Sequence, residues 1–198
     1  MELAPQVSNA IYRFVRAELR FGTERYRDVF SRKNNKTLRE TLRHPRYGSL
    51  AETAQQEYSA NLDEPLGIFL LKLKNDHDDF YKQFLNKYGD AEFSNFSIAE
   101  RQFFDVKGIY AYTSGGTLRY VGRSRDALAK RINLGYGTIH PKNCYRDGQA
   151  TNCHLNALIT LEQRHVEFWV YPMTNDDEIV RLEREILEIY RPLWNIRL

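Results

Sequence analysis

The sequence holds little of what would mark a secreted or membrane-embedded chain. Only two cysteines occur in 198 residues, Cys144 and Cys153, too few for a disulfide-stapled scaffold, so a reducing compartment is expected. No apolar run approaches the length of about eighteen residues that a membrane span needs, which excludes the membrane as a partner. The longest candidate, residues 67–74, is short and broken by lysine. The opening Met1-Glu2-Leu3-Ala4-Pro5 lacks the basic-then-apolar order of a secretory leader, and a cytoplasmic location is the expectation. Internal repeats and low-complexity tracts are absent too, which sets aside solenoids and tails.

What remains is an ordinary globular mixture, 42% hydrophobic and 28% charged, enough for one sizeable domain or two small ones. The net charge of +3 is unevenly spread. Residues 1–50 carry 11 Lys/Arg against 5 Asp/Glu, and residues 51–104 carry 5 against 10. A basic first segment is either a surface for a polyanion or a solvated helix face rich in arginine.

Residues 1–104 read as a mainly helical region with a DNA-recognition or assembly role. Ser8 caps a helix with Ile11, Phe14, Val15 and Leu19 at helical spacing, ending near Gly22. Ser49 with Glu52, and Ser97 with Glu100, have capping-box spacing. Phe69, Leu70 and Leu71, then Phe80, Phe84 and Leu85, suggest two packed helices stopped by Gly89. Asp76, His77, Asp78 and Asp79 are read as a helix N-terminus, where acidic side chains are favoured, rather than as a metal site.

The pattern changes after Phe104. Residues 107–113 and 117–122 are β-like runs flanking Ser114-Gly115-Gly116, a hairpin signature. Helices are expected over about 124–134 and 153–163, with a Gly- and Asn-rich loop at 135–152 between them. Residues 166–171 alternate Val, Phe and Val as a third strand, and a last helix runs from about Asp176 to Tyr190, ahead of Pro192. Residues 105–198 are thus expected to be an α+β domain, a small three-stranded antiparallel sheet flanked by helices.

Gly108-Ile109-Tyr110 followed by Tyr120-Val121-Gly122 resembles the paired motif of the GIY-YIG nuclease superfamily. Arg131 on the next helix, Glu183 on the last, and the terminal Pro192-Leu193-Trp194-Asn195 extend the resemblance over about residues 105–198. A three-residue loop at Ser114-Gly115-Gly116 places Tyr110 directly opposite Tyr120, with both side chains on one face, whereas a two-residue loop would put them on opposite faces. Glu183 stands out on its own. It falls within the apolar stripe of Ile179, Leu182, Ile186, Ile189 and Tyr190, where a carboxylate needs either a bound cation or a buried ion pair with arginine.

The resemblance implies DNA hydrolysis by in-line attack of water with one divalent ion, Mg²⁺ or Mn²⁺. In that scheme Tyr110 acts as general base with Tyr120 as its partner, or the reverse, and Arg131 neutralises charge on the phosphate. Glu183 holds the metal and Asn195 positions the site. The chain departs from the family twice: Lys130 stands where the arginine is usual, with Arg131 one residue beyond, and Arg123 replaces a common lysine after the second glycine. No histidine follows the arginine by one turn; Tyr136 and His140 are the candidates for its place. Arg119, Lys130, Tyr136, His140, Asn152 and Asn156 are expected to bind substrate.

His140, Cys144, Cys153 and His154 do not have zinc-finger spacing. Trp169 and Trp194 are expected in the core. The implied function is a site-specific restriction or phage-defence endonuclease. Cutting both strands with one active site per chain favours a homodimer or higher assembly. The alternatives are a structure-specific nicking nuclease of repair or recombination, and a catalytically silent DNA-binding or assembly protein.

Overall fold

A computed structural model describes residues 2–196. Its strands are β1 (Gln6–Val7), β2 (Ala10–Ile11), β3 (Val15–Ala17), β4 (Leu19–Tyr26), β5 (Phe93–Ile98), β6 (Gly108–Ser114), β7 (Thr117–Ser124) and β8 (Val166–Pro172). The α-helices are α1 (Leu38–Leu42), α2 (Ala51–Glu57), α3 (Leu66–Asn75), α4 (Leu128–Arg131), α5 (Ala150–Leu161) and α6 (Asp176–Tyr190). The fold is α+β with antiparallel sheets. No helix among the described residues is long and apolar enough to cross a membrane.

The chain forms two compact units. The first takes Met1–Glu24, Ser94–Thr138 and Leu158–Leu198, the second Arg25–Phe93 and Ile139–Ala157.

In the first unit the main sheet has four strands in the order β3-β8-β6-β7, not three. The added edge strand comes from the segment expected to be a helix. Val15, Arg16 and Ala17 pair with Val170, Trp169 and Phe168, and Gln6–Val7 pairs with Ala10–Ile11. Ser97 likewise lies inside strand β5, so Ser97 and Glu100 form no capping box; the Glu100 carboxylate instead accepts the Glu18 backbone N–H at 2.8 Å. Because strand side chains alternate, each face of the sheet has its own cargo. Ile109, Ala111, Val121 and Trp169 form a core with Ile179, Leu182 and Ile186 of α6. Taking each of those three helix side chains out of water contributes roughly 1.5–3 kcal/mol. Asn175 caps α6 by accepting the Asp177 and Glu178 N–H groups, and Asp176, Asp177 and Glu178 favour its positive end. The indole N–H of Trp169 donates to the Thr113 hydroxyl at 3.0 Å, which satisfies its one polar atom inside the core.

The β6–β7 hairpin turns on two residues, not three. Ser114 pairs with Thr117, and Gly115 and Gly116 have φ of 55° and 76°, which the primed two-residue turn requires. A bulge then shifts the register, so Thr113 pairs with Leu118 while Tyr112 pairs with Tyr120. Arg119 is the extra residue. Tyr110 therefore faces Gly122 rather than Tyr120, yet the bulge returns Tyr120 to the same face as Tyr110.

The second unit is mainly helical. Its core gathers Phe30, Leu38, Leu66, Phe69, Leu70, Phe84 and Phe93 with Tyr145, Cys144 and Cys153. Thr37 and Glu40 form a capping box on α1, whereas α2 begins at Ala51 without a side-chain cap from Ser49. Residues 79–84 form a 3₁₀ segment rather than a second α-helix, and Asp78 caps it by accepting the Phe80 N–H at 2.9 Å. Asp78 and Asp79 thus serve a helix start, while Asp76 closes the end of α3.

Candidate active site

The face of the sheet opposite α6 carries tyrosines. Tyr110 and Tyr112 leave β6 and Tyr120 leaves β7 on this side, with ring centroids 6.1–6.3 Å apart. Tyr136 closes the group from the π-helical turn Ile132–Tyr136 that continues α4. Its hydroxyl lies 2.9 Å from that of Tyr110 and 3.2 Å from that of Tyr120, so three hydroxyls form one hydrogen-bonded chain. Arg131 donates its Nε–H to the Tyr110 hydroxyl at 3.3 Å, and its guanidinium sits 4.9 Å from the Tyr136 ring centroid. Lys130, one residue earlier, turns away to Asp126. The shift of the arginine by one position therefore brings Arg131 to the tyrosines.

Two glycines make this packing achievable. A Cβ on Gly122 would lie 2.6 Å from the Tyr110 ring and hydroxyl and 2.8 Å from Tyr120. Gly108, with φ of 141°, lies so close to β8 that a Cβ would fall 2.1 Å from the Tyr171 carbonyl oxygen.

Tyr110 is fully buried, and burial pushes its hydroxyl well above the ordinary tyrosine range. The neighbouring Tyr120 and Tyr136 push it further, and the charge of Arg131 only partly opposes them. Tyr120 is raised for the same leading reason. Tyr110 and Tyr120 are therefore both held as neutral phenols at physiological pH.

Glu183 projects from α6 with its side chain 13% exposed and accepts from the Arg123 guanidinium of β7. An ion pair with arginine is thus present, buried on the Glu183 side only. Burial nevertheless raises the Glu183 pKa, outweighing the pull of Arg123 and of Arg131. Arg123 keeps 42% of its side chain exposed, so it has room to leave the carboxylate. No group of three or more His, Cys, Asp or Glu able to hold a metal occurs among the described residues.

Asn195 supplies a clamp. Its carboxamide accepts the Val121 N–H at 3.0 Å and donates to the Val121 carbonyl at 2.7 Å, filling the open edge of β7 between Tyr120 and Gly122. Trp194 adds a third tie by donating its backbone N–H to the Arg119 carbonyl at 2.8 Å, at the bulge. Trp169 and Trp194 are both buried.

Arg119 is partly buried at the bulge, and its Nε makes no hydrogen bond. His140, Asn152 and Asn156 belong to the second unit. There His140 caps the 3₁₀ turn Pro141–Cys144 and Asn152 donates to Gln149 at 3.1 Å, while Asn156 is fully buried. Cys144 and Cys153 place their sulfurs 3.9 Å apart. Tyr112 was not singled out by its sequence, although its spacing of two from Tyr110 puts it on the same face. Its hydroxyl is buried without a hydrogen-bond partner, which costs about 1–3 kcal/mol.

No protein-family model matches this chain, and neither a curated protein nor a solved structure matches it.

Proposed function

We propose that this chain is a metal-assisted phosphodiesterase of the GIY-YIG type that hydrolyses DNA, with a site-specific restriction or phage-defence role. The observation that carries this reading is the convergence of Tyr110, Tyr120, Tyr136 and Arg131 in one hydrogen-bonded group, on the sheet whose edge strand also supplies Arg123 to Glu183. Such an arrangement offers a proton acceptor for attacking water and a cation for a phosphate. It also offers a desolvated carboxylate for a divalent ion.

In this reading the small phenolate fraction of Tyr110 takes the proton of the attacking water and becomes the neutral phenol. Its hydroxyl chain through Tyr136 to Tyr120 holds the acceptor in one orientation. Arg131 presents its planar donor fork to the phosphate and is kept at Tyr110 by its Nε–H. Asn195 holds β7 in the register that puts Tyr120 and Gly122 where Tyr110 needs them. Glu183 fits Mg²⁺ or Mn²⁺ in the mode that uses one protein carboxylate, with water and substrate phosphate completing the shell. The ion would stabilise charge on the leaving oxygen. Arg123 occupies the carboxylate and moves into solvent or onto a phosphate when Glu183 is needed.

Incubation of supercoiled plasmid with the purified chain tests this. Discrete fragments with Mg²⁺ or Mn²⁺, and none with EDTA, are expected. Nicking without discrete products would favour the structure-specific alternative. Failure to cleave plasmid, branched or single-stranded DNA would sink the proposal and leave a binding or assembly protein.

The acid–base assignment makes a separate prediction. A phenol raised above its ordinary value near 10 is almost wholly protonated at neutral pH, and its phenolate fraction grows tenfold per pH unit. The kcat/KM is therefore expected to climb about tenfold per unit from roughly pH 6 to pH 9, without a plateau. A flat profile would remove Tyr110 from the role of base.

A further inference from the structure

The second unit contains a concentration of positive charge that the proposed chemistry does not use. Its salt bridges occupy Arg25, Arg27, Arg39, Lys74 and Lys82. Lys33, Lys36, Arg46, Lys142 and Arg146 form no ion pair among the described residues, and all but the half-buried Lys33 are exposed. They come from two segments about a hundred residues apart, brought together by the fold. Arg46 donates to the Arg146 carbonyl, and Arg146 donates to the Gln83 carbonyl at 3.2 Å. Lys33 lies 4.6 Å from the ring centroid of Tyr145, whose hydroxyl is tied to the Phe30 carbonyl at 2.9 Å.

The like charges feel one another. Burial lowers the Lys33 pKa, Asp147 opposes this, and Lys36 and Lys142 lower it further. Asp147, which accepts from the Tyr47 hydroxyl at 2.6 Å, carries a single negative charge and so balances only part of the cluster. A fold that gathers cations from distant segments bears a repulsive cost unless an anion lies across them. An arginine-rich helix face does not account for the arrangement, since Arg39 on α1 is already paired with Asp63 and the cluster is assembled from segments outside the α-helices.

We infer that this face of the second unit, centred on Lys33, Lys36, Arg46, Lys142 and Arg146, binds the phosphate backbone of duplex DNA without reading sequence. Lysine and arginine on a polar surface match a row of phosphates, which sets position rather than specificity. An anionic membrane is the other polyanion such a surface meets, but amphipathic membrane surfaces also present apolar side chains. In this unit Ile68, on α3, is the one large apolar side chain exposed among the described residues. The inference does not depend on the first unit being catalytic.

The test uses the full chain in EDTA and fluorescence anisotropy of a labelled DNA duplex across a range of salt. Lys36→Glu/Lys142→Glu is compared with Lys72→Glu/Lys87→Glu, which makes the same charge change at exposed sites outside the cluster. The cluster pair is expected to weaken binding by about thirtyfold or more and to reduce the log–log salt slope by about two. The control pair is expected to change affinity by less than about threefold. Equal weakening by both pairs, or by neither, would overturn the inference, as would tighter binding to phosphatidylserine vesicles than to the duplex. Cluster-dependent binding by a wild-type chain that cleaves nothing would support this surface while ending the proposed hydrolysis. Metal-dependent cleavage with unchanged binding by the cluster pair would do the reverse.

Discussion

Glu183→Gln is expected to reduce plasmid cleavage by about a thousandfold or more while leaving the melting temperature unchanged or slightly raised. The two halves have one cause. The carboxylate is largely buried, and its pKa stays above the ordinary glutamate value even with Arg123 paired to it and Arg131 within electrostatic reach. A raised carboxyl pKa means the folded chain holds the proton more tightly than the unfolded one. Any stability Glu183 lends is therefore present at acid pH, below the unfolded value, and is lost as pH rises through the folded value. At neutral pH the ionised group is a net burden despite its ion pair. Glutamine keeps the shape, removes the charge and leaves a half-exposed Arg123 to water. Cation binding loses its ligand at the same time. Thermal melting alongside cleavage separates the readings: a fall in melting temperature that tracks the lost activity would make Glu183 a structural ion-pair partner and nothing more.

The contrast between the two ends of the chain shows what local pattern can and cannot tell. The hairpin, β8 and α6 announce themselves through alternation, adjacent glycines and an acidic helix start at Asn175, all of which act within a few residues. Glu183 was legible because it interrupts an apolar stripe. That stripe, however, ends before Ile189 and Tyr190, which are exposed. Residues 8–22 misled because Ile11, Phe14, Val15 and Leu19 have helical spacing, while the strand Val15–Ala17 owes its existence to partners some 150 residues away, Phe168 to Val170. Such pairing leaves no local trace. Glu100 is similar: it satisfies a backbone N–H, but that of Glu18 across space rather than that of Ser97 beside it. At the hairpin, a shared face for Tyr110 and Tyr120 was expected to need a three-residue loop. The actual loop has two residues, and the bulge at Arg119 restores the parity that puts Tyr110 and Tyr120 on one face. His140, Asn152 and Asn156 lie in or next to the polar 135–152 loop, and composition alone does not say to which unit a loop belongs.

Gly122→Ala and Gly108→Ala are expected to fail in different ways, and the difference tests how the tyrosine group is built. At Gly122 the added methyl group meets side chains: the Tyr110 ring and hydroxyl at 2.6 Å and Tyr120 at 2.8 Å. Tyr110 is enclosed by Tyr112, Tyr120, Tyr136 and Phe168, so its ring moves only by displacing the hydroxyls it is bonded to. Overpacking of this kind costs about 1–3 kcal/mol, and a displacement near 1 Å at a reacting group costs about a hundredfold in rate. The variant should therefore fold with a modestly lowered melting temperature, and its kcat should collapse. At Gly108 the methyl group meets backbone, with the Tyr171 oxygen at 2.1 Å and the Met173 nitrogen at 2.9 Å, and φ of 141° is a conformation that alanine rarely adopts. Neither obstacle yields to a rotamer change, so β6 must leave β8 along the central pairing of the sheet. Backbone strain of about 1–3 kcal/mol adds to a comparable clash, and the melting temperature should drop by roughly 6–20 °C. Circular dichroism melts and cleavage rates measured on both variants give the answer. Wild-type rates in a folded Gly122→Ala chain would show that the position of the Tyr110 hydroxyl does not govern the reaction.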